Sequence, residues 1–354
     1  MFKVYAQKRY DQIELIGIGE GMNSSVFRAY DPYLKREFAV KEVRKDKFGN
    51  DFDAYCQEAR TMFAASDAHV VGIEYVCETP DHVAFALPYF SRGSLQRRIK
   101  SNPLGLLELL KVAQGILAGV SRIHSAGLLH LDLKPSNILF DDADRPLVAD
   151  FGQSREVVSD GTVRFPEMYK WAMPPEVWET NIATVQSDIY QLGVLLYRSA
   201  NGDSVYDLQK SAIRSNSELQ RLIQKGRFPD VRFFLPHVPK RVRTIIRKAV
   251  RVEPTQRYHS SSELAATLGR VAPTLNWSTS ALGGGSYTWQ AIRPGRPDFE
   301  VELCENRASG WQTRVWTNKD GDRRKKGVSE YWKEQLGYAA ACDHLTEVFA
   351  DLGQ

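Results

Sequence analysis

Asp132, Lys134, Asn137 and Asp150 stand close together in the chain, and each side chain suits work on a phosphate. A carboxylate such as Asp132 can accept a proton from an incoming hydroxyl. The apolar run Ile138-Leu139-Phe140 follows Asn137, and a second run, Leu147-Val148-Ala149, leads into Asp150. Asp-Asp and Arg-Pro turn signals lie between them, so the two runs read as strands of a hairpin. A hairpin brings Asn137 and Asp150 together at its open end. Two hard oxygen ligands converging there suit Mg²⁺, which shares its coordination with phosphate oxygens.

Elements upstream supply what such a site needs. The run Phe38-Ala39-Val40-Lys41-Glu42-Val43 predicts a strand with one lysine in an apolar setting, and a lysine there is costly unless paired. Before it, a strand containing Ile13 and Leu15 leads into Gly19-Glu20-Gly21-Met22-Asn23-Ser24-Ser25-Val26. Glycines in that turn let backbone amides approach phosphate with no Cβ in the way.

In this order and spacing, His130-Leu131-Asp132-Leu133-Lys134-Pro135-Ser136-Asn137 followed by Asp150-Phe151-Gly152 resembles the catalytic and metal-binding loops of eukaryotic-type serine/threonine protein kinases. The resemblance covers residues 10–270 or so. It implies ATP and Mg²⁺ as cofactors, with Asp132 as base, Lys134 at the transferring phosphate, and Asn137 and Asp150 on the metal. Lys41 would hold the α- and β-phosphates and pair with Glu58, on a helix expected over residues 51–66. Ile18, Gly19 and Gly21 would belong to the phosphate loop. Val26, Ala39 and Leu139 would sandwich the adenine, Leu87 would stand behind it, and the backbone of Pro88 and Phe90 would meet its edge. Asp188 would hold the catalytic-loop backbone, and Arg257 would pair with Glu176.

Three departures from the pattern matter. Ser24 stands where the third glycine of the loop is expected, and Pro174 replaces alanine before Pro175-Glu176. Leu131 stands where many kinases carry an arginine that clamps a phosphate on the activation segment, so activity should depend less on that phosphate. Asp-Leu-Lys-Pro-Ser-Asn is of the serine/threonine type, whereas Tyr169-Lys170-Trp171-Ala172-Met173 is faintly similar to tyrosine kinases, which leaves tyrosine or dual specificity open.

Bulk properties fit a globular protein. Of 354 residues, 43% are hydrophobic and 25% charged, and the net charge of +4 does not itself argue for nucleic acid. The cysteines Cys56, Cys77, Cys304 and Cys342 have neither zinc nor redox spacing, as expected of reduced thiols in the cytoplasm. The apolar stretch 104–120 is interrupted by Glu108, Lys111 and Gln114, so a buried helix is expected and no membrane span.

The expected architecture is α+β: a two-lobed kinase fold with a small C-terminal β-β-β-α domain. Residues 1–88 form the N-lobe, 89–272 the C-lobe, 273–286 a flexible linker and 287–354 the accessory unit. Its helix is expected from the three-and-four spacing of Trp332, Leu336, Ala339, Cys342, Leu345, Phe349 and Leu352. The cluster Arg323-Arg324-Lys325-Lys326 suits a docking or nucleic-acid partner, while the basic residues of 240–251 read as a solvated helix face. The function expected is a protein kinase, autophosphorylating, with protein substrates. The alternative is a nucleotide-binding switch whose C-terminal domain binds a protein or nucleic acid.

Overall fold

The computed structural model describes residues 9–17, 24–47, 60, 63, 65–166, 170–306, 310–325 and 327–353. The phosphate-loop candidates Ile18, Gly19 and Gly21, and the candidate lysine partner Glu58, lie outside them.

Five N-terminal strands, β1 (Asp11–Gly17), β2 (Ser24–Asp31), β3 (Arg36–Arg44), β4 (Tyr75–Glu78) and β5 (His82–Pro88), form an antiparallel sheet in the order β1-β2-β3-β5-β4. Alternation along β3 divides its two faces. Phe38 and Val40 pack with Ala29, Ala84 and Ala86 on one side. Ala39, Lys41 and Val43 point the other way, opposite Leu87, Phe85 and Val83 of β5.

The second lobe is helical. In the Leu106–Ser125 helix, Leu109, Val112, Ala113, Ile116, Val120 and Ile123 are buried at the three-and-four spacing that gives a helix one apolar face. The Val185–Asn201 helix is buried along nearly its whole length, polar Asp188 and Gln191 included, so it is the axis of this lobe. Small strand pairs decorate it: β6 (Leu128–Leu129) with β9 (Arg155–Glu156), β7 (Ile138–Phe140) with β8 (Pro146–Val148), and β10 (Val163–Arg164) with β11 (Ile182–Ala183). Among the described residues, no helix is long and apolar enough to cross a membrane.

The C-terminal unit holds more sheet than expected. β12 (Trp277–Gly283), β13 (Ser286–Ala291), β14 (Asp298–Asn306), β15 (Gly310–Lys319) and β16 (Asp322–Arg324) run in sequence order, and β17 (Lys333–Leu336) pairs with β15. The three expected strands form as β13, β14 and β15, and β12, β16 and β17 join them. β12 occupies half of the segment expected to be a linker, and Gly283, Gly284 and Gly285, at φ of 88°, 59° and 83°, make the tight turn into β13. The final helix, Tyr338–Asp351, starts only after Gly337, and the residues before it are strand rather than helix. This helix closes one sheet face around Trp277, Trp289, Val301, Leu303, Val315, Leu345 and Phe349, and the same core takes in Leu235 from the helical lobe.

Candidate active site

The hairpin expected after Asn137 forms, with Ile138 opposite Val148 and Phe140 opposite Pro146. Beyond its last pair the Ala149 N–H donates to the Asn137 carbonyl at 2.8 Å, which sets Asn137 and Asp150 at the open end. The Asn137 amide is oriented by two bonds from its Nδ2, to the Asp132 carbonyl at 2.9 Å and to Asp132 Oδ2 at 3.0 Å. Its Oδ1, which also accepts the Ser136 hydroxyl at 3.4 Å, keeps a lone pair for a cation. That oxygen and the Asp150 carboxylate are the hard donors a divalent ion requires, so the residues present fit such an ion.

Charges at the cleft are paired. Lys134 Nζ lies 2.9 Å from Asp132 Oδ2, and Lys41 Nζ lies 3.2 Å from Asp150 Oδ1. Burial pushes the Asp132 carboxyl above the usual aspartate range, with Asp150 adding to the rise and Lys134 opposing it. For Asp150 burial acts in the same direction, but the ammonium groups of Lys41 and Lys134 outweigh it and hold the carboxyl below its usual range. Two neighbouring aspartates thus have unlike character: one is a stronger base than usual, the other is held ionised.

The Val185–Asn201 helix holds the loop from beneath. Asp188 accepts the His130 N–H at 2.9 Å and the Leu131 N–H at 2.8 Å, and His124 Nε2 lies 2.8 Å from it. One turn on, Gln191 accepts the Leu133 N–H at 3.0 Å and donates to the Leu131 carbonyl at 2.7 Å. His130 donates through Nε2 to the Ala149 carbonyl at 3.1 Å and accepts the Asp132 N–H on Nδ1 at 3.2 Å. Asp188 was expected here. Gln191 carries no signal in the sequence except its spacing of three from Asp188 on the same helix.

Leu131 adopts φ of 66°, a left-handed backbone that costs a non-glycine residue about 1–2 kcal/mol. Its side chain is fully buried among Leu129, Val163, Phe165, Val177 and Ala183. An apolar cluster therefore ties the catalytic stretch to the segment between Asp150 and Glu176, where a charged residue would have needed an anion. At the far end of that segment Arg257 makes a bidentate pair with Glu176, at 2.9 and 2.7 Å.

The candidate adenine residues divide between sheet and hairpin. Val26 sits opposite Lys41, and Ala39 opposite Leu87, so Val26, Ala39, Lys41 and Leu87 share one face of the N-terminal sheet. Pro88 ends β5, and Phe90 follows it into the connection between lobes. Leu139 lies below, on β7, bridged to Ser94.

Of the basic residues of 240–251, Lys240, Arg241, Arg247 and Arg251 are exposed as expected, while Arg243 and Lys248 are partly buried. Arg243 donates to the Val238, Leu235 and Pro236 carbonyls and to Thr346 Oγ1 of the final helix at 3.1 Å. Arg247 donates to the Val231 and Arg232 carbonyls. In the C-terminal cluster Arg323 pairs with Glu300 and Glu302, Arg324 with Asp322, and Lys325 lies over the Trp332 ring.

The chain is similar to known proteins over most of its length. The protein kinase domain family matches residues 10–267. The chain is similar to the serine/threonine-protein kinase PrkC of Bacillus subtilis, 27% identical over 335 residues that cover 92% of this chain and 49% of that protein. It is similar to the serine/threonine-protein kinase PknD of Chlamydia caviae, 29% identical over 296 residues, 74% of this chain and 31% of that one. A third relative is the DNA damage-responsive serine/threonine-protein kinase RqkA of Deinococcus radiodurans, 29% identical over 310 residues, 84% of this chain and 44% of that one. The chain spans half or less of the length of these relatives.

Proposed function

Since this chain belongs to the protein kinase family, we propose that it transfers the γ-phosphate of ATP to serine or threonine hydroxyls of protein substrates, its own chain included. The observation that carries the reading is the buried Asp132 carboxylate bracketed by Lys134 and Asn137, with Asp150 beside Lys41 across the cleft. The names of the relatives and the lysine two residues after Asp132 both favour serine or threonine over tyrosine.

In this reading Asp132 orients the substrate hydroxyl and takes its proton as the oxygen bonds to the γ-phosphorus. The bond from that phosphorus to the β–γ bridging oxygen breaks, and ADP leaves. Its raised proton affinity suits Asp132 to this step. Lys134 compensates charge on the transferring phosphoryl group, and Lys41, with Glu58 as its proposed second partner, holds the α- and β-phosphates. Asn137 Oδ1 and Asp150 hold Mg²⁺, which when bound neutralises phosphate charge. Val26, Ala39 and Leu139 enclose the adenine, Leu87 backs it, and the Pro88 and Phe90 backbone meets its polar edge. The loop containing Ile18, Gly19 and Gly21 covers the phosphates. Leu131 makes activity less dependent on an activation-segment phosphate, because the apolar cluster already anchors that segment.

Purified protein incubated with radiolabelled ATP and Mg²⁺ should incorporate phosphate at serine or threonine, and Asp132→Ala should lower incorporation by at least about 10²-fold. Unchanged incorporation in that variant overturns the assignment. Label found on tyrosine alone overturns the residue class.

A further inference from the structure

The Val185–Asn201 helix meets the catalytic stretch through two polar side chains, Asp188 and Gln191, both at most 3% exposed. Between them they take consecutive backbone groups. Asp188 satisfies the N–H groups of His130 and Leu131, while Gln191 satisfies the Leu131 carbonyl and the Leu133 N–H. The two groups held by Gln191 stand on either side of Asp132. With the His130 ring on the Asp132 N–H and Asn137 on the Asp132 carbonyl, every backbone polar group from the Leu131 N–H to the Leu133 N–H has a partner.

We propose that Gln191 is a positioning residue for phosphotransfer: its carboxamide spans the peptide groups flanking Asp132 and fixes the direction in which that carboxylate points. The inference rests on the kinase reading of the site. Leu131 shows why a brace is required. Its left-handed backbone persists only if held on both sides, and here its N–H is held by Asp188 and its carbonyl by Gln191. The chemistry selects the side chain. One group must donate and another accept across the same loop, which a primary amide does and an aliphatic or ammonium group does not. Serine is too short to span both groups, and an ionised glutamate would set an acceptor against the Leu131 carbonyl.

That last point gives a test that separates positioning from space-filling. In Gln191→Glu the ionised carboxylate repels the Leu131 carbonyl, whereas the protonated acid donates to it and still accepts the Leu133 N–H. Burial and the facing carbonyl both raise the pKa of such a group. The titratable groups around the loop are Asp188 on the same helix, His124, and His130, Asp132 and Lys134 of the stretch itself. Dividing the kcat/KM of the variant by that of the full-length wild type at each pH cancels their titration. The ratio should rise as pH falls from about 8 to about 6. Gln191→Leu, similar in volume, should lose roughly 10- to 100-fold in kcat with KM for ATP changed less than about 2-fold, since displacing a reacting group by about 1 Å costs up to about 10²-fold. Hydrogen exchange at the Leu133 amide should quicken in Gln191→Leu, a readout that needs no activity. A flat ratio, a Gln191→Leu kcat within about 3-fold of wild type, or unchanged Leu133 exchange overturns the assignment. Should wild type itself transfer no phosphate, the kinase reading fails, and Leu133 exchange still decides for or against the brace.

Discussion

Two antiparallel sheets flank the helical lobe, and they are attached to it in opposite ways. The N-terminal sheet has its own small apolar clusters, around Phe38 and Val40 on one face and Val43, Val83 and Phe85 on the other. Among the described residues it meets the helical lobe through backbone bonds near Val71 and Val148, through the Lys41–Asp150 pair, and through Leu87, which packs against the helical core. The C-terminal sheet shares a core with that lobe. Leu235 belongs to its cluster, Phe233 stacks on Tyr338, and His237 lies against Trp289. Burial pushes the His237 imidazole down to about 4, so the seam carries no charge there at neutral pH. Gly105 completes the fit, since a Cβ on it would come within 2.3 Å of the Trp277 carbonyl oxygen. Among the described residues the first junction is thin and mixes polar contacts with Leu87, as suits a cleft that must admit a nucleotide. The second is apolar and closed, as suits a buttress.

The strongest way to break this contrast is to remove the buttress. A chain ending at residue 272 would lose Trp277, Trp289 and Phe349 and leave Leu235 and His237 open to water. What the helical lobe itself loses is the cover over Phe233, Leu235 and His237, about 1.5–3 kcal/mol for each apolar side chain fully uncovered, a sizeable share of a domain's stability. The truncated chain should melt well below the full chain, or should aggregate. A soluble 1–272 fragment melting at the temperature of the full chain would make the C-terminal unit an independent appendage. The opposite sheet should respond in the opposite sense. Lys41→Ala should lower phosphotransfer by roughly 10²- to 10³-fold, while the melting temperature moves little, because a partly exposed ion pair contributes about 1 kcal/mol or less. A large drop in melting temperature would mean that the thin junction carries structural weight after all.

Much of this arrangement is legible from residue types, and what is hidden has identifiable causes. The β7–β8 hairpin follows from short apolar runs between turn residues, and with it the convergence of Asn137 and Asp150. β3 follows in the same way, and Lys41 stands out because its neighbours are apolar. Gln191 is hidden because almost everything on its helix is buried, so its own polarity marks no face. β12 is hidden because its inward residues, Trp277 and Thr279, alternate with serines beside a glycine-rich turn, a composition shared with linkers. β17 is hidden because Trp332 and Leu336 happen to fall four apart, a helical spacing, while Lys333, Glu334 and Gln335 are exposed and the strand exists by pairing to β15. Arg243 is hidden for a similar reason: on the sequence it is one cation among several, three of its acceptors are backbone carbonyls that no residue type announces, and the fourth, Thr346, lies 103 residues away.

Arg243 also offers the finest test of the buttress. Its guanidinium joins three carbonyls of residues 235–238 to Thr346 Oγ1 on the final helix. The Thr346 hydroxyl itself donates to the Cys342 carbonyl at 2.9 Å, within its own helix. Thr346→Val keeps the shape of the side chain and removes both bonds. Arg243 retains its carbonyl partners, so no buried charge is stranded, and the loss should be about 1 kcal/mol. In a chain of this size that lowers the melting temperature by about 2 °C. Phosphotransfer per folded molecule should not change, because Thr346 belongs to the seam and not to the cleft. A melting temperature equal to wild type would leave the apolar core alone as the fastening. A fall of more than about 5 °C would make the Arg243–Thr346 contact a principal tie between the helical lobe and the C-terminal sheet.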